Sequence, residues 1–163
     1  MLTTGAAFTR EPFELERLLA LAVGFTEMVA LWWCYFQRLE AIGAEAAATP
    51  EDAGAVGFWG TWTLTLIVLA LIGIAVGDEM AIAHPGDDAT LGFTVLTFGG
   101  PAQFLLAQVI FTREAVGHVP RSRPLALAAL ALLAVATAPL TLIAGIAAST
   151  AVLVALAIAD TTG

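Results

Sequence analysis

The 163-residue chain has no lysine, six arginines and one cysteine, and only 12% of its residues are charged. Binding to nucleic-acid phosphates needs clustered basic side chains, so a nucleic-acid partner is excluded. Cys34 cannot form an internal disulfide and has no neighbouring cysteine with which to hold a metal; within its apolar run it reads as packing. Soluble domains carry about a quarter charged residues, and a chain with half that share is not a soluble globular enzyme. Catalytic signatures are missing as well: there is no Gly-rich phosphate loop, His-Glu metal helix, CxxC pair or nucleophile elbow. No cofactor and no metal are indicated. The opening MLTTGAAFTRE lacks the basic-then-apolar pattern and the cleavage site of a secretory signal, so the amino terminus is expected to be retained. No period of about 20 to 50 residues repeats, which argues against a solenoid.

What the chain has in abundance is apolar length. Hydrophobic residues make up 60% of it, the mean hydropathy is +0.91, and the apolar runs approach the roughly 20 residues needed to cross the hydrocarbon layer. The net charge of −8 has no obvious partner. The reading is an all-α, polytopic transmembrane helical bundle in a single membrane domain, with spans at about 13–42, 57–83, 89–112, 124–137 and 139–159. Residues 43–56, with Pro50 and small and acidic residues, form a linker, and Pro85 and Gly86 stop the second span. Gly99, Gly100 and Pro101 predict a kink in the third, because proline removes a backbone donor and clashes with the preceding turn. The 35 apolar or small residues from Leu125 to Ala159 are too many for one upright helix, and Pro139 is the natural break. The alternative is four crossings, with a kinked or re-entrant last segment.

Trp32 and Trp33, with Tyr35 and Phe36, and Trp59 and Trp62 stand where interfacial aromatic belts would put them, all at one membrane face. With five spans, Arg38, Arg113, Arg121 and Arg123 fall on one side and Arg10 and Arg17 on the other. The positive-inside rule then makes the 113–123 loop cytoplasmic, in an integral protein of the cell membrane. These arginines fix topology, and near anionic headgroups each contributes about 1 kcal/mol.

Three stretches carry a resemblance: VALWWCYFQRLE at 29–40, IVLALIGIAVGDEMAIAHP at 67–85 and GPAQFLLAQVIFTREAVGHVPRSR at 100–123. In this order, and followed by an Ala/Leu-rich tail, they resemble the low temperature requirement protein A family of bacterial and archaeal membrane proteins. The resemblance implies a polytopic membrane protein whose biochemical activity is poorly defined. An upstream Arg-aromatic-Gly-rich helix followed by a Leu-Gly-Glu turn is absent, so the chain is expected to correspond to the carboxyl-terminal half of a member.

Glu27 is the sharpest feature. It lies about fourteen residues from either end of its span, where an ionised carboxylate costs on the order of a few kcal/mol, so it must be neutral, paired or facing a polar cavity. The bland alternative is a protonated carboxyl acting as interhelical glue, worth about 0.6 kcal/mol. Counting depth along the third span predicts Gln103 as its partner, beside carbonyls freed at the kink. Gln108 is about 140° round the helix from Gln103, so the two form no single stripe. Asp78 and Glu79 are consecutive and cannot both face one cavity, and Glu79 is about 13 Å shallower than Glu27, so a paired-carboxylate site is not expected. The ordinary role for Asp78 and Glu79 is snorkelling or hydrogen bonding at an interface. His84, before Pro85, is a candidate proton relay with Glu79, against the commoner helix-end role; a lone histidine makes a poor metal site. His118 reads as a loop residue.

These features allow a transport or permeation component for protons or a small solute, centred on Glu27 and Gln103 with Glu79 and His84 as an entrance. They equally allow a structural or regulatory half-module that works as a homo-oligomer or with a partner membrane subunit. A membrane-embedded enzyme ranks last. Besides the lipid bilayer, no partner is readable from the residues.

Overall fold

The computed structural model describes residues 12–46, 53–136 and 140–162. Five helices account for nearly all of them: α1 (Pro12–Ala46), α2 (Ala53–Ala83), α3 (Leu91–Val116), α4 (Ser122–Ala136) and α5 (Leu142–Thr162). Four contain stretches long and apolar enough to cross a membrane: Leu15–Gln37, Gly60–Ala83, Leu91–Ala115 and Leu142–Thr161. α4, at 15 residues, rises only about 22 Å against a hydrocarbon core of about 30 Å. The molecule is thus a helical membrane bundle of four to five spans.

The buried positions show why these helices associate. In α1 they are Ala20, Gly24, Glu27, Ala30, Leu31 and Cys34; in α2 they are Thr63, Ile67, Ala70, Ile74, Gly77 and Ala81. Both series step by three and four, the spacing of one helix face. The opposite faces are large and apolar: Phe25 is 72% exposed, beside Met28, Val29, Trp32, Val68 and Ile72. Most of the small and polar residues of these stripes point inward, together with Leu31, Ile67 and Ile74, and bulky apolar ones cover the outward faces, as expected where lipid is the solvent and close backbone approach holds helices together.

The closest approach is between α2 and α3. Gly73 and Gly77, four residues apart, face Leu96 and Thr97, and a Cβ placed on Gly100 would stand 2.7 Å from Ile74 Cγ1 and 3.3 Å from the Ala70 carbonyl. α3 starts at Thr90, whose Oγ1 accepts from the Phe93 N–H, and ends at Gly117, whose φ of 79° supplies the left-handed cap. It continues unbroken through Pro101. It also extends past the expected end at 112, because the stop signal is Gly117 rather than Arg113, leaving Arg113 in its last turn, where a cation suits the helix dipole.

The helices alternate in direction. Arg17 reaches the Ala83 carbonyl, so α2 ends beside the start of α1. Ser122 and Arg123 at the head of α4 meet Asp160 near the end of α5. At the opposite end of the bundle the α2–α3 turn and the α4–α5 turn pair: Ala89 N donates to Leu140 O at 3.0 Å, and Leu142 N to Asp87 O at 3.0 Å. α1, α3 and α5 therefore run one way and α2 and α4 the other. Pro139, the expected break between the last two helices, lies outside the described residues.

Candidate functional site

Glu27 points along the buried stripe of α1 and is 1% exposed. Its two carboxyl oxygens are both engaged by α5: Ser149 Oγ donates to Oε1 at 3.0 Å and Thr150 Oγ1 to Oε2 at 3.2 Å. The expected pairing with Gln103 is corrected. Gln103 turns to α2 and donates from Nε2 to the Leu66 carbonyl at 3.0 Å. Depth counting ranks residues by level only, whereas the contact is set by azimuth, and the face of α1 that carries Glu27 belongs to α5.

The exclusion of a second carboxyl also needs correction. Asp78 lies against α1 at Gly24, where an added Cβ would stand 3.2 Å from Asp78 Oδ2. Gly24 is one turn from Glu27 on the same buried stripe, and the two carboxyls lie within reach of each other's charge. Glu79 was the wrong member of the Asp78-Glu79 pair to compare, and the register of α1 on α2 brings the acid about one turn from Glu27 instead of two and a half. Glu79 itself is exposed, as is His84 at the end of α2; neither enters the buried site.

Thr97 completes the layer. It is 3% exposed and its Oγ1 has no hydrogen-bond partner among the described residues, yet it stands beside Gly77, the residue preceding Asp78, at the distance where a Cβ would be 3.0 Å away. Four residues on, Pro101 has no N–H, so the Thr97 carbonyl lacks its helical donor. Phe93 of α3 packs against Gly145 of α5; one turn further along both helices stand Thr97 and Ser149. Glu27, Asp78, Thr97, Ser149 and Thr150 thus form one polar layer across α1, α2, α3 and α5. The four arginines whose side chains are described stand away from it, Arg17 at one end of the bundle and Arg113, Arg121 and Arg123 at the other.

Gln108, 5% exposed, has neither amide atom paired among the described residues. Nearly three turns away from Glu27, a second polar cluster joins α1, α4 and α5. Arg123, 2% exposed, sits inside α4 instead of in the loop and pairs with Asp160 at 2.7 Å. Gln37, with its amide oriented to suit its neighbours, donates to the Asp160 carbonyl and accepts from the Trp33 indole N–H. Arg113 and Arg121 are exposed. Trp32, Trp33 and Trp62 are exposed at this same end of the bundle, while the Trp59 side chain lies outside the described residues. Cys34 is buried, with its sulfur 4.0 Å from the Leu153 carbonyl. No group of three or more His, Cys, Asp or Glu side chains suited to a metal occurs among the described residues.

Sequence comparison decides the family. The family model described as bacterial low temperature requirement A protein matches residues 1–158. The chain belongs to this family. The expectation that only the carboxyl-terminal half of a member is represented is corrected, since the match takes in nearly the whole chain. An uncharacterized protein of Rhizobium meliloti (strain 1021) is 31% identical over 105 residues, which is 63% of this chain and 25% of that relative. The matched segment thus spans a quarter of the relative's length. No solved structure matches the chain. Membership of the low temperature requirement A family and the apolar helices together make this an integral membrane protein.

Proposed function

We propose that the chain is a transport or permeation component, passing protons or a small solute through the layer that contains Glu27. The observation that supports this is a carboxyl at mid-span, sealed from both water and lipid, hydrogen-bonded by two hydroxyls and neighboured by a second carboxyl, with no basic side chain beside it among the described residues. Intramembrane acids are costly and mark ion or substrate paths, and here the oxygen-rich layer stands beside a helix whose Pro101 leaves one main-chain carbonyl without its donor. Glu79 and His84, exposed at the end of α2, form its approach from that side.

The test is proton flux into liposomes containing the purified chain and its Glu27→Gln variant. Glutamine keeps the shape and one acceptor oxygen, its amide N–H donates to the other hydroxyl once that hydroxyl rotates, and the titrating group is removed, so the variant folds and its flux falls at least tenfold, on the order of the loss of one charged contact. Equal flux in the two proteins, or none in either, removes the transport reading.

A second reading, in which the chain acts as a structural or regulatory module with another copy or a partner subunit, is favoured by one observation: the matched relative is four times as long as the segment it shares with this chain. That reading places the detergent-solubilised particle at a protein mass that is a multiple of 16.8 kDa, or in a complex with a second subunit.

A further inference from the structure

We infer that the layer formed by Glu27, Asp78, Thr97, Ser149 and Thr150 is a binding site for sodium ion, with Thr97 as its vacant ligand. The inference deepens the transport reading by naming the ion; its role rests on that reading, but occupancy of the site does not. Three observations on three different helices converge. Two carboxyls, on α1 and α2, lie close together: Asp78 Oδ2 stands 3.2 Å from where a Cβ on Gly24 would be, one turn from Glu27. The hydroxyls of Ser149 and Thr150 close on Glu27 from α5. Thr97 of α3, almost fully buried and level with Ser149, has a hydroxyl with no partner among the described residues, beside Gly77, and a carbonyl without a helical donor because of Pro101. A buried hydroxyl left unsatisfied is costly, and one held at the level of two acids points to a missing cation.

The chemistry selects the ion. Every donor is oxygen, which suits a hard cation, and nitrogen and sulfur ligands for a transition metal are missing from the layer. Two carboxyls in a low-dielectric layer with no arginine hold one positive charge, with a proton on the second carboxyl, at less cost than a divalent ion that would have to shed a tightly held water shell. Carboxylate, hydroxyl and freed main-chain carbonyl are the ligand types that hold sodium or protons at the midplane of membrane transporters. The groups nearest Glu27 are Asp78 from α2 and the two hydroxyls from α5, with Thr97 of α3 at the same level; the four arginines whose side chains are described lie at the bundle ends.

Thr97→Val gives the discriminating experiment, because it replaces an unpartnered hydroxyl by a methyl of the same shape and cannot break an existing hydrogen bond. The thermal midpoint of the purified full chain in detergent is measured in sodium chloride and in choline chloride at equal ionic strength, over a range of pH. Binding to the folded state raises the midpoint with sodium concentration. The inference predicts such a rise for the unaltered chain, a sodium affinity at least tenfold weaker in Thr97→Val, and none in Asp78→Asn. Equal midpoints in the two salts overturn it, as does a midpoint that follows pH alone, which would leave a proton as the only occupant. An unchanged sodium response in Thr97→Val overturns it too. Sodium-dependent stabilisation in a protein that carries no flux would sustain the site and remove the transport reading, so the two failures are told apart.

Discussion

Arg123 joins α4 to α5 beside Ser122: the residue is 2% exposed and its guanidinium bonds the Asp160 carboxylate at 2.7 Å. Removing one partner of a buried pair leaves the other charged and unsolvated, which costs about 3–5 kcal/mol. Asp160 keeps 14% of its side-chain surface, so some of that penalty is relieved by solvent and about 2 kcal/mol is the expected loss for Arg123→Ala. Denaturant titration of the detergent-solubilised chain measures it, and Arg123→Met with Asp160→Leu, which removes both charges, is expected to recover most of the loss. At the same scale Glu27 behaves differently: among the described residues it has no opposite charge to lose, and two hydroxyls hold its carboxyl. One cluster is built to stay shut, and the other to accept a cation.

Among the elements, α2 and α3 depend on absent side chains. A Cβ on Gly100 meets Ile74 Cγ1 at 2.7 Å and main-chain atoms of α2 at 3.3 Å, so Gly100→Val has to push the two helices apart. Overpacking of this kind costs about 1–3 kcal/mol, and the thermal midpoint of the variant should fall accordingly, whereas Gly99→Ala, whose Cβ would meet nothing closer than 3.8 Å, should leave it nearly unchanged. The sequence shows this element level well in parts. Apolar length alone reveals the helices, and Glu27 stands out because it interrupts an apolar run. Its partners do not, since Ser149 and Thr150 look like two more small residues in an Ala-rich tail, and no sequence pattern fixes their azimuth relative to α1. Asp78 was hidden by its neighbour Glu79, because a shift of one residue turns a side chain by 100° and decides which of the two faces α1. Gly73 and Gly77, spaced four apart on one face, were the unread signal for close packing of α2 against α3.

For the whole molecule, the central point is that the helices alternate across the membrane, which puts the polar layer inside it, twelve residues into the Leu15–Gln37 stretch of α1 and five to eight residues from the near ends of those in α2, α3 and α5. α4, with 15 residues, covers only part of the thickness. The pairing of the α2–α3 turn with the α4–α5 turn supplies the remaining connection and puts both turns at one end. Membrane-impermeant thiol labelling of intact cells decides it, in a Cys34→Ala background with single cysteines introduced as Asp87→Cys, Leu140→Cys or His118→Cys, all at exposed positions. Labelling of Asp87→Cys and Leu140→Cys from outside, with His118→Cys reached only after the membrane is opened, is the expected result. Asp87→Cys and His118→Cys reacting from the same face would contradict the account, because the helix between them would then fail to cross and the Glu27 layer would have no mid-membrane position to occupy.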